Sequence, residues 1–206
     1  NRAARTTCVK PAGTTSLVLG TSSGIHAWHN DYYIRRLRVG KNEAIYTYLK
    51  QNHPELVEDE YFRPHDTAVI EIPQSAPKGS ILRTESAFDL LERVKKVATE
   101  WVQPGHRAGN NTHNVSATIS LKQEDWDKAG EWMWKNRDCY NGLSVLPYDG
   151  GTYTQAPFED IKKSEFDKLV KSLHDVDITK VKETTDETDL SGELACAGGS
   201  CEITGL

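Results

Sequence analysis

The stretch Arg5-Thr6-Thr7-Cys8-Val9-Lys10-Pro11-Ala12-Gly13-Thr14-Thr15-Ser16 reads as a strand that breaks into a turn and restarts as a helix. Thr6, Thr7 and Val9 are β-branched and favour an extended backbone. Pro11 and Gly13 punctuate the run. Thr14 or Thr15 can cap a short helix through Leu17, Val18 and Leu19, and Gly20 can end it. At such a turn the glycine allows close backbone approach. Three hydroxyls and the first helical N–H groups then face one point, a geometry that suits an anion such as phosphate. The spacing is not that of a GxxxxGK[ST] phosphate loop, and an ordinary helix cap explains the same residues.

Working outward, Tyr32 to Val39 alternates like a half-buried strand, and Arg35, Arg36 and Arg38 on it read as a solvated face. Residues 42–50 read as a helix stopped by His53-Pro54. Thr67 to Ile72 is a strand. Residues 86–102 form the strongest helix, with Phe88, Leu91, Val94, Val97, Ala98 and Trp101 at helical spacing and Ser86 with Asp89 as its cap. After a polar loop rich in Gly, Asn and His, residues 115–121 are a strand. Residues 124–135 are a helix with Trp126, Ala129, Trp132 and Met133 on its apolar face. Residues 143–148 are a buried strand, turned by Asp149-Gly150-Gly151. The mixture makes the chain α/β, without the GxGxxG fingerprint of a dinucleotide fold.

After Lys171 the composition turns acidic and poor in apolar residues. Such a segment cannot bury enough surface to offset its ordering entropy, so residues 172–206 are expected to be a flexible tail. The tail ends in Cys196-Ala197-Gly198-Gly199-Ser200-Cys201. The glycines let the two sulfurs meet, and the acidic linker gives reach, which suits thiol–disulfide exchange. A metal-binding tail or two inert thiols remain open, although a zinc site needs four ligands and no His or further Cys lies nearby in sequence.

The rest of the composition narrows the class. The chain has 206 residues, 37% hydrophobic and 27% charged, with a net charge of -5. An acidic balance argues against a bulk nucleic-acid or membrane-surface binder. No apolar run approaches a membrane span, and no secretory signal is visible. Four cysteines are too few for a disulfide scaffold, which points to a reducing, cytoplasmic setting. His106 and His113 read as parts of a polar loop rather than as metal ligands, and Cys8 and Cys139 as structural thiols.

Taken together, these motifs resemble the C-terminal part of a ribonucleotide reductase catalytic subunit. Residues 5–16 are similar to that family's substrate-phosphate loop. Gly24-Ile25-His26, Tyr33-Ile34-Arg35-Arg36, His113-Asn114-Val115-Ser116, Leu146-Pro147-Tyr148-Asp149-Gly150-Gly151 and Gln155-Ala156-Pro157 follow in the family's order. The resemblance implies the late portion of a ten-stranded α/β barrel with outer helices over residues 1–171, and a tail over 172–206. It implies reduction of ribonucleotides by thiyl-radical chemistry. Ala12, Gly13, Thr14, Thr15 and Ser16 would bind substrate phosphate, and Cys196 and Cys201 would be the shuttle that re-reduces the catalytic disulfide. A thioredoxin- or glutaredoxin-type reductant would recharge the shuttle.

The family's Asn-x-Cys-x-Glu radical loop is not in these 206 residues. The expectation is therefore a second chain, or a removed segment, carrying the remainder of the barrel; a split gene or an intein would also account for a start at Asn1. The metal-dependent class relays its radical through two adjacent tyrosines, and here that place reads Leu146-Pro147-Tyr148. The resemblance therefore favours the adenosylcobalamin-dependent class and leans to triphosphate substrates. A fragment of a metal-dependent large subunit and a non-catalytic nucleotide-binding regulatory module are the competing readings.

Overall fold

A computed structural model of the chain describes residues 6–109, 111–148, 150 and 153–183. The chain divides into two compact units, each built from two separate stretches of the described residues. The first contains residues 6–28 and 79–150, and the second contains residues 29–78 and 153–183. Both mix helices with strands, in line with the α/β expectation.

In the first unit, helix α1 (Gly13–Leu19) ends at Gly20, whose φ of 60° is left-handed. Its N–H bonds back to Leu17 O, and Thr21 N–H bonds to Ser16 O. Helix α3 (Ala87–Val97) starts with the expected capping box. The Ser86 hydroxyl accepts from Asp89 N–H, and the Asp89 carboxylate accepts from Ser86 N–H. Strands β4 (Thr118–Leu121) and β5 (Ser144–Pro147) pair in parallel, joined through helix α4 (Trp126–Lys135). An isolated parallel bridge sets Val9 beside Val115. Leu91, Val94, Val115, Ile119 and Leu121 are fully buried at the centre of this unit's core.

Three expectations for this unit need correction. Trp101 was placed on the apolar face of α3, yet it is 60% exposed. The last turn widens into a π-helix over Ala98–Val102, with Gln103 N–H bonding to Ala98 O. A π-turn advances the helical phase by about one residue. Val102 therefore enters the core in place of Trp101. The strand at 115–121 is shorter than its apolar pattern, beginning at Thr118. The strand at 143–148 is not buried: Leu146 and Tyr148 are exposed, because among the described residues β5 pairs with β4 alone.

The second unit is built on an antiparallel sheet in the order β2-β3-β1-β6, with β1 (Tyr32–Gly40), β2 (Val57–Asp59), β3 (Thr67–Ser75) and β6 (Phe158–Asp160). Strand β3 runs beyond the expected Ile72 and includes Pro73, opposite Ile34. A proline lacks a ladder donor and is tolerated where one side of the strand is free. The short β2 covers only Ala68 to Ile70, so Pro73 lies beyond it. Helix α2 (Ala44–Asn52) closes on His53, as the His53-Pro54 pair predicts. Val39, Leu49, Leu56, Val57 and Ala68 form the core, and Leu173, just past helix α5 (Lys163–Ser172), packs against it.

The arginines on β1 are the main correction here. Arg35 is 5% exposed and its guanidinium lies 4.2 Å from the centre of the Phe158 ring. Arg36 is ion-paired with Glu71 on β3 and, at 2.5 Å, with Glu159 on β6. Arg35 and Arg36 are central-strand residues covered by neighbours, whereas Arg38 is exposed as expected of a solvated face.

Candidate functional site

Residues 8–26 of the first unit form a loop–helix–loop whose two arms are tied to β4 and its approach. Ser116 N–H bonds to Val9 O at 3.1 Å, continuing the Val9–Val115 bridge. The motif at residues 5–16 and the motif at 113–116 are thus neighbours in space. Gly24 crosses directly beneath the backbone that enters the loop. Its φ is +61°, and a Cβ there would lie 2.6 Å from Lys10 O and 3.3 Å from Pro11 N. Only glycine allows both that conformation and that approach.

Ala12 takes the N-cap position of α1 with an extended backbone, and no side chain caps the helix. The first N–H groups of a helix have no intrahelical acceptor. Thr15 is exposed, whereas Ser16 is buried. The Ser16 hydroxyl turns back into the first turn, donating to Ala12 O and, at 3.0 Å, sharing Gly13 O. Ser16 therefore closes the helix's own first turn with its side chain. The backbone N–H groups of Ala12, Gly13, Thr14 and Thr15 are the ones that the first turn leaves without an intrahelical acceptor.

His26 closes the second arm. Thr118 N–H donates to His26 Nε2 at 3.0 Å. An accepting Nε2 leaves the proton on Nδ1, which donates to Ser23 O at 2.9 Å. Burial holds the His26 pKa below the ordinary imidazole value, and Arg93 acts in the same direction. Arg93 reaches from α3 to bond Ile25 O at 3.0 Å and is ion-paired with Glu85 at 2.5 Å. That pairing raises the Arg93 pKa and keeps its charge fixed beside the turn.

In the second unit the structure brings together two motifs that are far apart in sequence. Arg36 N–H donates to Pro157 O, and the Arg36 guanidinium reaches Ala156 O at 3.2 Å. Gln155 has a φ of 54°, in the left-handed region. Its side-chain oxygen accepts from Tyr61 N–H, and its amide nitrogen donates to Asp59 O, each at 2.9 Å. Strained backbone held by so many partners is over-determined by its surroundings. Burial would lower the Arg36 pKa, but Glu159 and Glu71 outweigh it and raise the value. Nothing in the sequence spacing ties Tyr33-Ile34-Arg35-Arg36 to Gln155-Ala156-Pro157; only the β1–β6 register does.

The other expected residues fall as follows. Cys196 and Cys201 lie outside the described residues, as does Asp149. Cys8 is exposed and Cys139 half-buried, both as free thiols. His106 Nε2 bonds to Gly109 O at 2.7 Å within its own loop. Among the described residues no group of three or more His, Cys, Asp and Glu could hold a metal ion. No helix among them is long and apolar enough to cross a membrane.

No protein-family model matches the chain. The adenosylcobalamin-dependent ribonucleoside-triphosphate reductase of Lactobacillus acidophilus is 28% identical over 98% of this chain and 27% of its own length. A probable adenosylcobalamin-dependent ribonucleoside-triphosphate reductase of Dictyostelium discoideum is 29% identical over 96% of this chain and 25% of its own length. That of Euglena gracilis is 28% identical over 95% and 26%. A crystal structure of a B12-dependent (class II) ribonucleotide reductase superposes with a TM-score of 0.63 at 25% identity, covering 79% of this chain and 22% of that one. The chain therefore spans about a quarter of the length of the curated relatives it matches. Over nearly all of its described and undescribed length, the chain is similar to adenosylcobalamin-dependent (class II) ribonucleotide reductases.

Proposed function

We propose that this chain is the C-terminal part of an adenosylcobalamin-dependent ribonucleotide reductase, converting ribonucleoside triphosphates to 2′-deoxyribonucleotides in the cytoplasm. The observation that carries the reading is similarity over 98% of the chain to a reductase of that name. The ordered run of motifs and the structural likeness support it. In this reading residues 1–171 supply late strands and outer helices of a ten-stranded barrel. The parallel β4–β5 pair and the parallel Val9–Val115 bridge suit barrel strands. Residues 172–206 are the shuttle-bearing tail.

Ala12, Gly13, Thr14, Thr15 and Ser16 hold the substrate phosphates. The exposed backbone N–H groups at the start of α1 donate to them, and Ser16 keeps the first turn closed with its hydroxyl. Cys196 and Cys201 carry two electrons to the barrel. Their two thiols become a disulfide as the disulfide left by substrate reduction returns to two thiols, and a thioredoxin- or glutaredoxin-type protein reverses the oxidation of the tail. The radical-bearing cysteine and its partners belong to a second chain or further segment that completes the barrel. Adenosylcobalamin supplies the radical when bound. The cofactor is bound mainly by that remainder of the barrel.

Reconstitution tests this. The chain, a polypeptide carrying the remainder of the barrel, adenosylcobalamin, a ribonucleoside triphosphate and thioredoxin should yield deoxyribonucleotide. Cys196→Ser and Cys201→Ser should abolish turnover with thioredoxin, and a small dithiol should partly restore it. Dependence on a second, metal-bearing protein with no response to adenosylcobalamin would overturn the class. Turnover by the chain alone would overturn the need for a partner.

A further inference from the structure

Three backbone segments meet around the turn that His26 closes. Residues 8–11 enter the loop, residues 22–26 leave it, and residues 115–118 lead into β4. The first and third are joined by the Val9–Val115 bridge. The first and second are in contact where Gly24 lies under Lys10 and Pro11. The second and third are joined by the hydrogen bond from Thr118 N–H to His26 Nε2. Helix α1 hangs between these ties. Its entrance is fixed by Pro11 over Gly24, and its exit by the bond from Thr21 N–H to Ser16 O. The seven residues of α1 bury little of their own, since Leu17, Val18 and Leu19 are all exposed. With so little apolar packing along α1 beyond the buried Ser16, the placement of residues 12–16 depends on these ties.

We infer that His26 is a positioning residue: its Nε2, acting only as an acceptor, latches the turn at residues 22–26 to β4 and thereby fixes residues 12–16 in the geometry that receives phosphate. The inference rests on the reading of residues 12–16 as the substrate-phosphate loop.

The latch has one working protonation state. With Nδ1 committed to Ser23 O, a proton added at Nε2 would face the Thr118 N–H, and donor would meet donor. The charged groups that bear on the ring are Arg93 on α3, and Glu85 and Arg83 on the segment preceding it. Arg93 and Arg83 oppose protonation; the hydrogen bond to Ser23 favours it, as does Glu85, engaged by Arg93. Burial is the largest influence and also opposes it. The latch thus stays closed at neutral pH and opens only on acidification below the ordinary imidazole value of 6.5.

The test uses the isotope-labelled full chain with CTP as the phosphate probe. Asparagine places an amide N–H where Nδ1 lies, and glutamine places a carbonyl oxygen where Nε2 lies. His26→Gln should keep the latch; His26→Asn should lose it. Loss of one partly buried hydrogen bond predicts about tenfold faster amide hydrogen exchange at Thr118 and Thr21, whose N–H groups are held by His26 and by Ser16 O, in H26N, and a change of at most about twofold in H26Q. CTP should bind H26N about tenfold more weakly than wild type at pH 7.5. Wild-type CTP affinity should fall with acid below the lowered His26 pKa, and that of H26Q should not. Unchanged exchange at Thr21 and Thr118 in H26N would overturn the latch. So would a ring nitrogen spectrum showing Nε2 protonated in the wild type at neutral pH, a measurement that needs no variant to fold. If H26N alters exchange as expected but CTP shifts no amide at residues 12–16 in any form, the latch stands and the phosphate-loop reading fails.

Discussion

Arg36 and Glu71 sit opposite one another in the β1–β3 register and form an ion pair across the sheet. The same guanidinium bonds Glu159 on the other neighbour strand and the carbonyl of Ala156. One side chain thus joins three strands and the segment that precedes β6. Its side chain is 9% exposed, and Glu71 is 21% exposed, so water replaces little of this if it is lost.

Replacing Arg36 with Met should therefore destabilise the second unit by about 2–4 kcal/mol, because it strands Glu71 in a poorly hydrated position. The double variant Arg36→Met with Glu71→Met should cost less than Arg36→Met alone, since the poorly hydrated Glu71 charge goes with its partner and Glu159, the other partner, is half exposed to water. Urea denaturation followed by a probe within residues 29–78 measures both. Equal losses in the single and double variants would show that the pair acts through packing of the arginine stem.

Two left-handed glycines should respond differently to alanine. Gly20 ends α1 with open space around it, so Gly20→Ala meets only the backbone penalty of about 1–2 kcal/mol. Gly24 has the same sign of φ but would also drive a Cβ into Lys10 O. Gly24→Ala should cost clearly more and should perturb the amides of residues 10–16, visible as chemical-shift changes that Gly20→Ala does not produce.

The helix α3 should separate core from surface. Leu91 is 1% exposed within the first unit's core, and Leu91→Ala should cost about 2–5 kcal/mol through the lost burial and the cavity left behind. Trp101 lies on the same helix and is larger, but it is exposed. Trp101→Ala should change stability by less than about 0.5 kcal/mol. Thermal or denaturant melts of the two variants decide this, and the ranking reverses what helical periodicity alone suggests.

The α3 cap carries a pH signature. Hydrogen bonds from the Ser86 side chain and backbone hold the Asp89 carboxyl below the usual carboxylate range. A depressed folded-state pKa adds stability above the unfolded-state pKa, near 3.9 by the usual reference. That contribution is lost as the pH falls through the lower folded-state value. Asp89→Asn should remove this acid dependence, and Ser86→Ala should cost about 1 kcal/mol at neutral pH. Melting temperatures of the three proteins between pH 2 and 7 check both.

Local order was legible in the chain where the cause is local. The capping box at Ser86 and Asp89, the left-handed stop at Gly20 and the break at His53-Pro54 each involve residues within a few positions. The candidate loop at residues 12–16 and the family likeness were also visible, because they depend on residue order alone. The covering of Arg35 and Arg36 is not legible in the sequence, because strand alternation tells which residues share a face but not whether a neighbour covers it; Arg38 on the same strand is exposed as expected. The exposure of Trp101 is not legible in the sequence, because a single π-turn shifts the phase that periodicity takes as constant.

The sequence by itself determined the α/β character, the positions of most helices and the similarity to a reductase, since these follow from short-range chemistry and from linear motif order. Tertiary structure alone decided what the motifs do to one another. It set Arg36 against Glu71, Glu159 and the Gln155-Ala156-Pro157 segment, and it gave His26 an acceptor's role toward Thr118, 92 residues away in the chain. A hydrogen bond or ion pair between distant residues exists only once loop closure and strand register have brought them within about 3 Å, and neither is written in the spacing of either partner.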